Sequence, residues 1–92
     1  MINGNVDEFL DNLWVGEEVI FTYNGKKYFA QGYTREDGVS VHEVQQWEPE
    51  EKLIWQMEGL DAETRMSAFQ NEQMFDGKSF WQVEKDIEWV DY

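Results

Sequence analysis

Between Glu18 and Tyr33 the apolar residues recur at every second position on both sides of Asn24-Gly25. A period of two belongs to a strand, and Asn-Gly tolerates the positive φ that a two-residue turn demands, so the segment predicts a β-hairpin. The turn length sets the register: Phe21 faces Tyr28 and Val19 faces Ala30, with Tyr23 on the same side. Gly32 reads as a bulge that brings Tyr33 onto that face. A second hairpin is expected around Asp37-Gly38, returning as Val39–Trp47 with Val39, Val41 and Trp47 on one side and Val44 on the other. Glu48-Pro49-Glu50-Glu51 breaks the chain, after which Leu53, Trp55 and Met57 alternate in a fourth strand. The chain is thereby committed to an antiparallel meander of three or four strands.

The flanks carry the helical period instead. Val6, Phe9, Leu10, Leu13 and Trp14 form one stripe, with Asn5 as its N-cap and Gly16 as its stop. Asp61 caps a second helix running to about Met74, in which Ala62, Met66, Phe69 and Gln73 share a face. After a turn at Asp76-Gly77-Lys78, Ser79 and Gln82 make a capping box for a third stripe, Phe80, Val83, Ile87 and Val90. The expected fold is a single α+β domain over residues 1–92: an N-terminal helix, the meander and two C-terminal helices. The helices lie mostly on one sheet face, leaving the other solvated or free to bind.

A chain of 92 residues buries a smaller share of its surface than a large one, so its core residues must be large. Five Trp, six Phe and four Tyr meet that need. Such a density of rings also excludes a disordered acidic tail. Cysteine is absent, which removes disulfides, thiolate metal sites and cysteine nucleophiles. With 20 acidic and 7 basic residues the net charge is −13. That excess opposes direct contact with nucleic acid and with anionic membranes, both of which recruit Lys and Arg. It is also uneven: Met1 to Gly25 holds five acids and no base, and Glu43 to Glu63 holds seven acids and only Lys52. No apolar run is long enough to span a bilayer, and Met1–Asn5 lacks the features of a signal peptide, so a cytoplasmic location is expected.

The strings Phe9-Leu10-Asp11-Asn12-Leu13-Trp14-Val15-Gly16, Gln46-Trp47-Glu48-Pro49 and Phe75-Asp76-Gly77-Lys78-Ser79-Phe80-Trp81-Gln82-Val83-Glu84 span much of the chain. They resemble small acidic proteins of Gram-positive, Clostridia-like gut bacteria and their mobile elements. The resemblance implies a bacterial, cytoplasmic origin and no particular activity.

Catalytic signatures are missing. His42, the lone histidine, has no serine elbow or Gly-rich turn beside it and is expected at the surface or on an edge strand rather than as a general base. The acids show no calcium-loop spacing, and the glycines form no phosphate-binding loop. No catalytic residue, metal site or cofactor is therefore assigned. The tryptophans carry more. Trp14 and Trp55 fit core stripes, whereas Trp47, Trp81 and Trp89 are hard to bury together, the last two lying off the Phe80–Val83–Ile87 stripe; where exposed, the three are candidate anchors for a protein partner, with Glu84 and Glu88 on a polar rim. The expected function is a noncatalytic protein-interaction or regulatory module, with homodimerisation as one form of it. The alternative is a nucleic-acid mimic whose carboxylates occupy the basic groove of another protein. Carbohydrate binding through exposed Trp and Asp is a further, less supported option.

Overall fold

The computed structural model describes residues 1–91. Helix α1 (Val6–Trp14) begins where the Asn5 side chain accepts from the Asp7 and Glu8 N–H groups. Strands β1 (Val19–Tyr23), β2 (Lys26–Thr34), β3 (Ser40–Glu48) and β4 (Lys52–Glu58) follow as a meander. Asp61 caps α2 (Ala62–Asn71) through the Thr64 N–H, and Gln82 reaches back to the Ser79 N–H at the start of α3 (Phe80–Val83). A short 3-10 turn (Glu84–Asp86) then leads into β5 (Glu88–Asp91). The sheet order is β4-β3-β2-β1-β5, all neighbours antiparallel.

The architecture is α+β as expected, with two corrections. The sheet has five strands, not three or four, because the segment expected to continue the last helix turns into β5 and pairs with β1, Phe21 opposite Trp89. Phe80, Val83 and Ile87 are buried as the stripe predicted, but Val90 is exposed: a stripe begun in a helix ends on a strand. Gly32 is not a bulge either. β2 and β3 stay in register through Gly32↔His42 and Tyr33↔Val41, which leaves Tyr33 on the side away from the helices. Glycine is needed there for space. A Cβ on Gly32 would lie 2.7 Å from His42 Nε2 and 2.9 Å from the Gly16 Cα. The breaks in register fall elsewhere, at Ile54 in β4, Trp47 in β3 and Val90 in β5.

One aromatic core lies between the sheet and the helices. Phe9 meets Phe21 edge-on (5.3 Å), Trp89 edge-on (5.5 Å) and Phe80 stacked (5.7 Å). Phe75 touches Phe21, Tyr28 and Phe69 in T-shaped contacts. Such geometry aligns ring edges with ring faces and adds about 0.5–1.5 kcal/mol per pair beyond area burial. Burial, then Asp76 and Tyr23, push the Tyr28 phenol up to about 12, so it stays neutral in the core. All three helices sit on this one face, and the opposite face of the sheet has no helix over it.

Candidate functional site

The uncovered face is built by the strand residues that alternate with the core set. Ile20, Phe29, Gln45 and Leu53 form one row across β1, β2, β3 and β4; Gln31, Glu43 and Gln56 form the next. The bulge in β3 turns Trp47 onto Phe29, where the rings stack at 4.7 Å with their planes 13° apart. The stack buries Phe29 while Trp47 stays half-buried. Leu53, 55% exposed, and Val90 continue the apolar surface towards both sheet edges.

Beside that apolar row lies a polar array centred on Glu43, only 6% exposed although no helix covers it. Its neighbours cover it. Gln45 Nε2 donates to Glu43 Oε2 at 2.6 Å and Gln31 Nε2 donates to the same oxygen at 3.0 Å. Gln56 Nε2 at 3.3 Å and the Tyr33 hydroxyl at 3.4 Å serve Oε1. Trp47 Nε1 donates to Gln45 Oε1 at 3.2 Å, linking the array to the ring stack. Bonds to a carboxylate are stronger than neutral ones, so Glu43 pins β2, β3 and β4 to one another and holds three amides in fixed orientations. The surface this makes sets an aromatic patch beside amide and carboxylate groups tied to one another. It suits recognition.

His42 points the other way, into the helix layer, and is buried rather than at the surface or on an edge strand. Arg65 Nε donates to its Nδ1 at 2.9 Å, so Nδ1 carries no proton and Nε2–H donates to the Leu13 carbonyl at 2.7 Å. Both ring nitrogens are engaged, which leaves no atom for general base work. Burial lowers the His42 pKa below its ordinary 6.5; the Leu13 carbonyl opposes this and the Arg65 charge adds to it. The unfolded chain therefore binds a proton at His42 more readily than the folded one. Stability from this group is full above about pH 6.5 and is lost as pH falls beneath it, at up to about 1.4 kcal/mol per pH unit. We expect the urea midpoint to drop between pH 7.5 and 5.5, and the drop to shrink in His42→Gln; an unchanged drop in that variant would place its origin elsewhere.

The residues singled out from sequence do not converge. Trp47 lies on the uncovered face. Trp81, 49% exposed, sits in the helix layer with its Nε1 donating to Gln70 Oε1 at 3.0 Å. Trp89 is 9% exposed and belongs to the core against Phe9, so it cannot anchor a partner; β5 turns it inward where a helix would have shown it to solvent. Glu84 pairs with the Met1 α-amine, and Glu88 accepts from Asn3 Nδ2 at 2.6 Å, so both brace the N-terminal segment. Trp14, expected in the core, is 46% exposed, while Trp55 is half-buried and packs edge-on against Phe69. The Glu43 array was missed. Its signal was a polar alternation, Gln31 in one strand and Glu43 and Gln45 in the next, on the face opposite the apolar residues.

Exposed carboxylates gather at both ends of the sheet. Glu36, Asp37 and Glu58, followed by Asp61 and Glu63, lie where β3 starts and β4 stops, and Glu48, Glu50 and Glu51 lie at the opposite end. A further group, on and after α1, places Glu8, Asp11 and Glu17 around an open cleft walled also by Asn12 and Trp89. Among the described residues no cluster of three His, Cys, Asp or Glu has the geometry to hold a metal ion, and no helix is long and apolar enough to cross a membrane. Comparison with protein-family models, with curated proteins and with solved structures gives no match.

Proposed function

We propose that this chain is a noncatalytic protein-interaction module whose partner docks on the uncovered face of its sheet. The observation that carries this is the one-sided covering of a five-stranded sheet: the bare side holds a Phe29–Trp47 stack flanked by Leu53, Ile20 and Val90 and a rigid carboxylate–amide array. An exposed apolar patch rimmed by polar groups is characteristic of an interaction site, and Trp is the residue most enriched among binding hot spots. The acidic surface adds long-range attraction towards a basic partner, faster at low salt. Mimicry of a nucleic acid fits less well, because the bare sheet face presents aromatic rings and amides rather than a row of carboxylates.

The test is a pull-down from the native host with wild type, the double variant Trp47→Ala/Leu53→Ser, and Trp81→Ala. A partner held by wild type and by Trp81→Ala is expected to be lost, by at least about tenfold in affinity, from the double variant. Recovery of the partner by the double variant at wild-type strength would remove this face from the interaction, and recovery of no partner by wild type would count against the module itself.

A further inference from the structure

The two edges of the sheet are finished differently. Outside β5 lies Ile2, whose N–H donates to the Ile87 carbonyl at 2.8 Å and whose carbonyl accepts from the Trp89 N–H at 3.0 Å. That edge is occupied. β4 ends the sheet on the other side and, among the described residues, pairs only with β3. None of its residues is buried. An edge strand of this kind presents a row of N–H and C=O groups ready to pair with another strand. Its interior, Leu53-Ile54-Trp55-Gln56-Met57, is apolar and strand-forming, with single charges at Lys52 and Glu58.

Two exposed leucines mark its ends, Leu53 and the 71% exposed Leu60. Leu60 has φ +57, a left-handed conformation that a branched side chain adopts at a cost. Arg65 holds it there: Nη1 donates to the Gly59 carbonyl at 2.8 Å and to the Leu60 carbonyl at 2.9 Å. Backbone strain of this sort persists where surrounding structure fixes it and collects at ligand-contacting positions.

Charge identifies the occupant. Glu50 and Glu51 precede the edge, Glu58 closes it, and Asp61 and Glu63 follow, against Lys52 on the strand, Arg35 beside Glu58 and Arg65 at the Gly59–Leu60 turn. Arg35 reaches Glu58 at 2.6 Å and Lys52 approaches Glu50 at 3.8 Å, but Glu51 and Glu63 have no ion-pair partner among the described residues. We propose that an extended basic segment of the partner protein adds to β4 as a sixth strand. Its main chain bonds to the β4 edge, its apolar side chains meet Leu53 and Leu60, and Lys or Arg at its two ends face Glu50, Glu51 and Glu63. A second copy fits this edge worse, since two chains of charge −13 repel. The proposal rests on the interaction-module reading and adds the chemistry of the partner and its mode of pairing.

The experiment selects random nine-residue peptides from a display library against the full chain at low salt, then titrates the enriched peptides into labelled protein by NMR. Enriched peptides are expected to carry Lys or Arg at both ends of a β-branched or aromatic centre. They should shift and protect the amides of Lys52–Glu58. The triple variant Glu50→Gln/Glu51→Gln/Glu63→Gln, altered only at exposed positions, should bind them about tenfold more weakly, each exposed charge contributing a modest share. No enrichment, enrichment of neutral or acidic peptides, or shifts confined to Phe29 and Trp47 would overturn edge pairing; the last would leave the uncovered face standing as the docking surface. Shifts in the β4 amides that grow with protein concentration without peptide would overturn it in favour of a second copy.

Discussion

Phe9→Ala should lower the unfolding free energy by about 4 kcal/mol, the cost of losing a buried ring and leaving a cavity that its neighbours only partly fill. Phe9 is fully buried and touches Phe21 in β1, Trp89 in β5 and Phe80 in α3. It thus joins α1 to two strands and to another helix. A domain of this length has roughly 5–14 kcal/mol to lose, so the variant sits close to the unfolding threshold. Phe9→Leu, expected to cost about 1–1.5 kcal/mol, keeps the comparison measurable if alanine abolishes folding. Trp14→Ala, five residues further along the same helix, is the internal contrast: its ring is exposed, and its loss should cost under about 1 kcal/mol. Urea denaturation of the three variants decides the matter, and a Trp14→Ala loss equal to or greater than that of Phe9→Ala would contradict the packing described.

The second large effect is expected at Arg65. Arg65→Met should cost about 3 kcal/mol, because three buried or partly buried acceptors lose their donor at once. They are His42 Nδ1 and the carbonyls of Gly59 and Leu60. Through these bonds one guanidinium fastens α2 to β3 and to the turn between β4 and α2, and through His42 to the end of α1. Arg65→Lys should rescue little, since an ammonium lacks the planar fork that reaches both His42 and the turn. A purely volumetric role would predict the same loss with an unaltered histidine. The structure predicts instead that the His42 pKa rises in Arg65→Met, once the neighbouring charge is gone and Nδ1 is free to take a proton. NMR titration of the imidazole reads that shift directly, and its absence would remove Arg65 as the cause.

Much of the fold is legible in local sequence. Asn24-Gly25 fixed Phe21↔Tyr28 and Val19↔Ala30, and both pairs occur as expected. Asn5, Asp61 and the Ser79–Gln82 pair marked the three helix starts, because capping is a local hydrogen-bonding matter settled within four residues. The last segment was misread for an equally physical reason. Phe80, Val83 and Ile87 keep helical spacing, yet the free edge of β1 offered Glu88–Asp91 a ladder, and tertiary pairing overrode the local period. Trp89 was carried inward with it.

The candidate site divides in the same way. The sequence marks Trp47, Trp81 and Trp89 as hard to bury together, and of the three it is Trp47 that lies on the uncovered face, stacked on Phe29. Glu43 was not recognised, because its role depends on Gln31 and Gln56, twelve and thirteen residues away on the flanking strands. His42, without a catalytic neighbour in sequence, reads as a surface or edge-strand residue, and its burial rests on two partners distant in the chain, Arg65 and the Leu13 carbonyl.

Sequence by itself determined where helices start, where the chain turns, which residues are large enough to build a core and how much negative charge must stay outside. These follow from interactions within a few residues or from totals over the chain. Tertiary structure decided which sheet face is covered, that one edge is closed by Ile2 while the other stays open, and which tryptophans are hidden. Those outcomes depend on contacts between residues far apart in the chain, and apolar periodicity specifies that a face is buried without naming the partner that buries it.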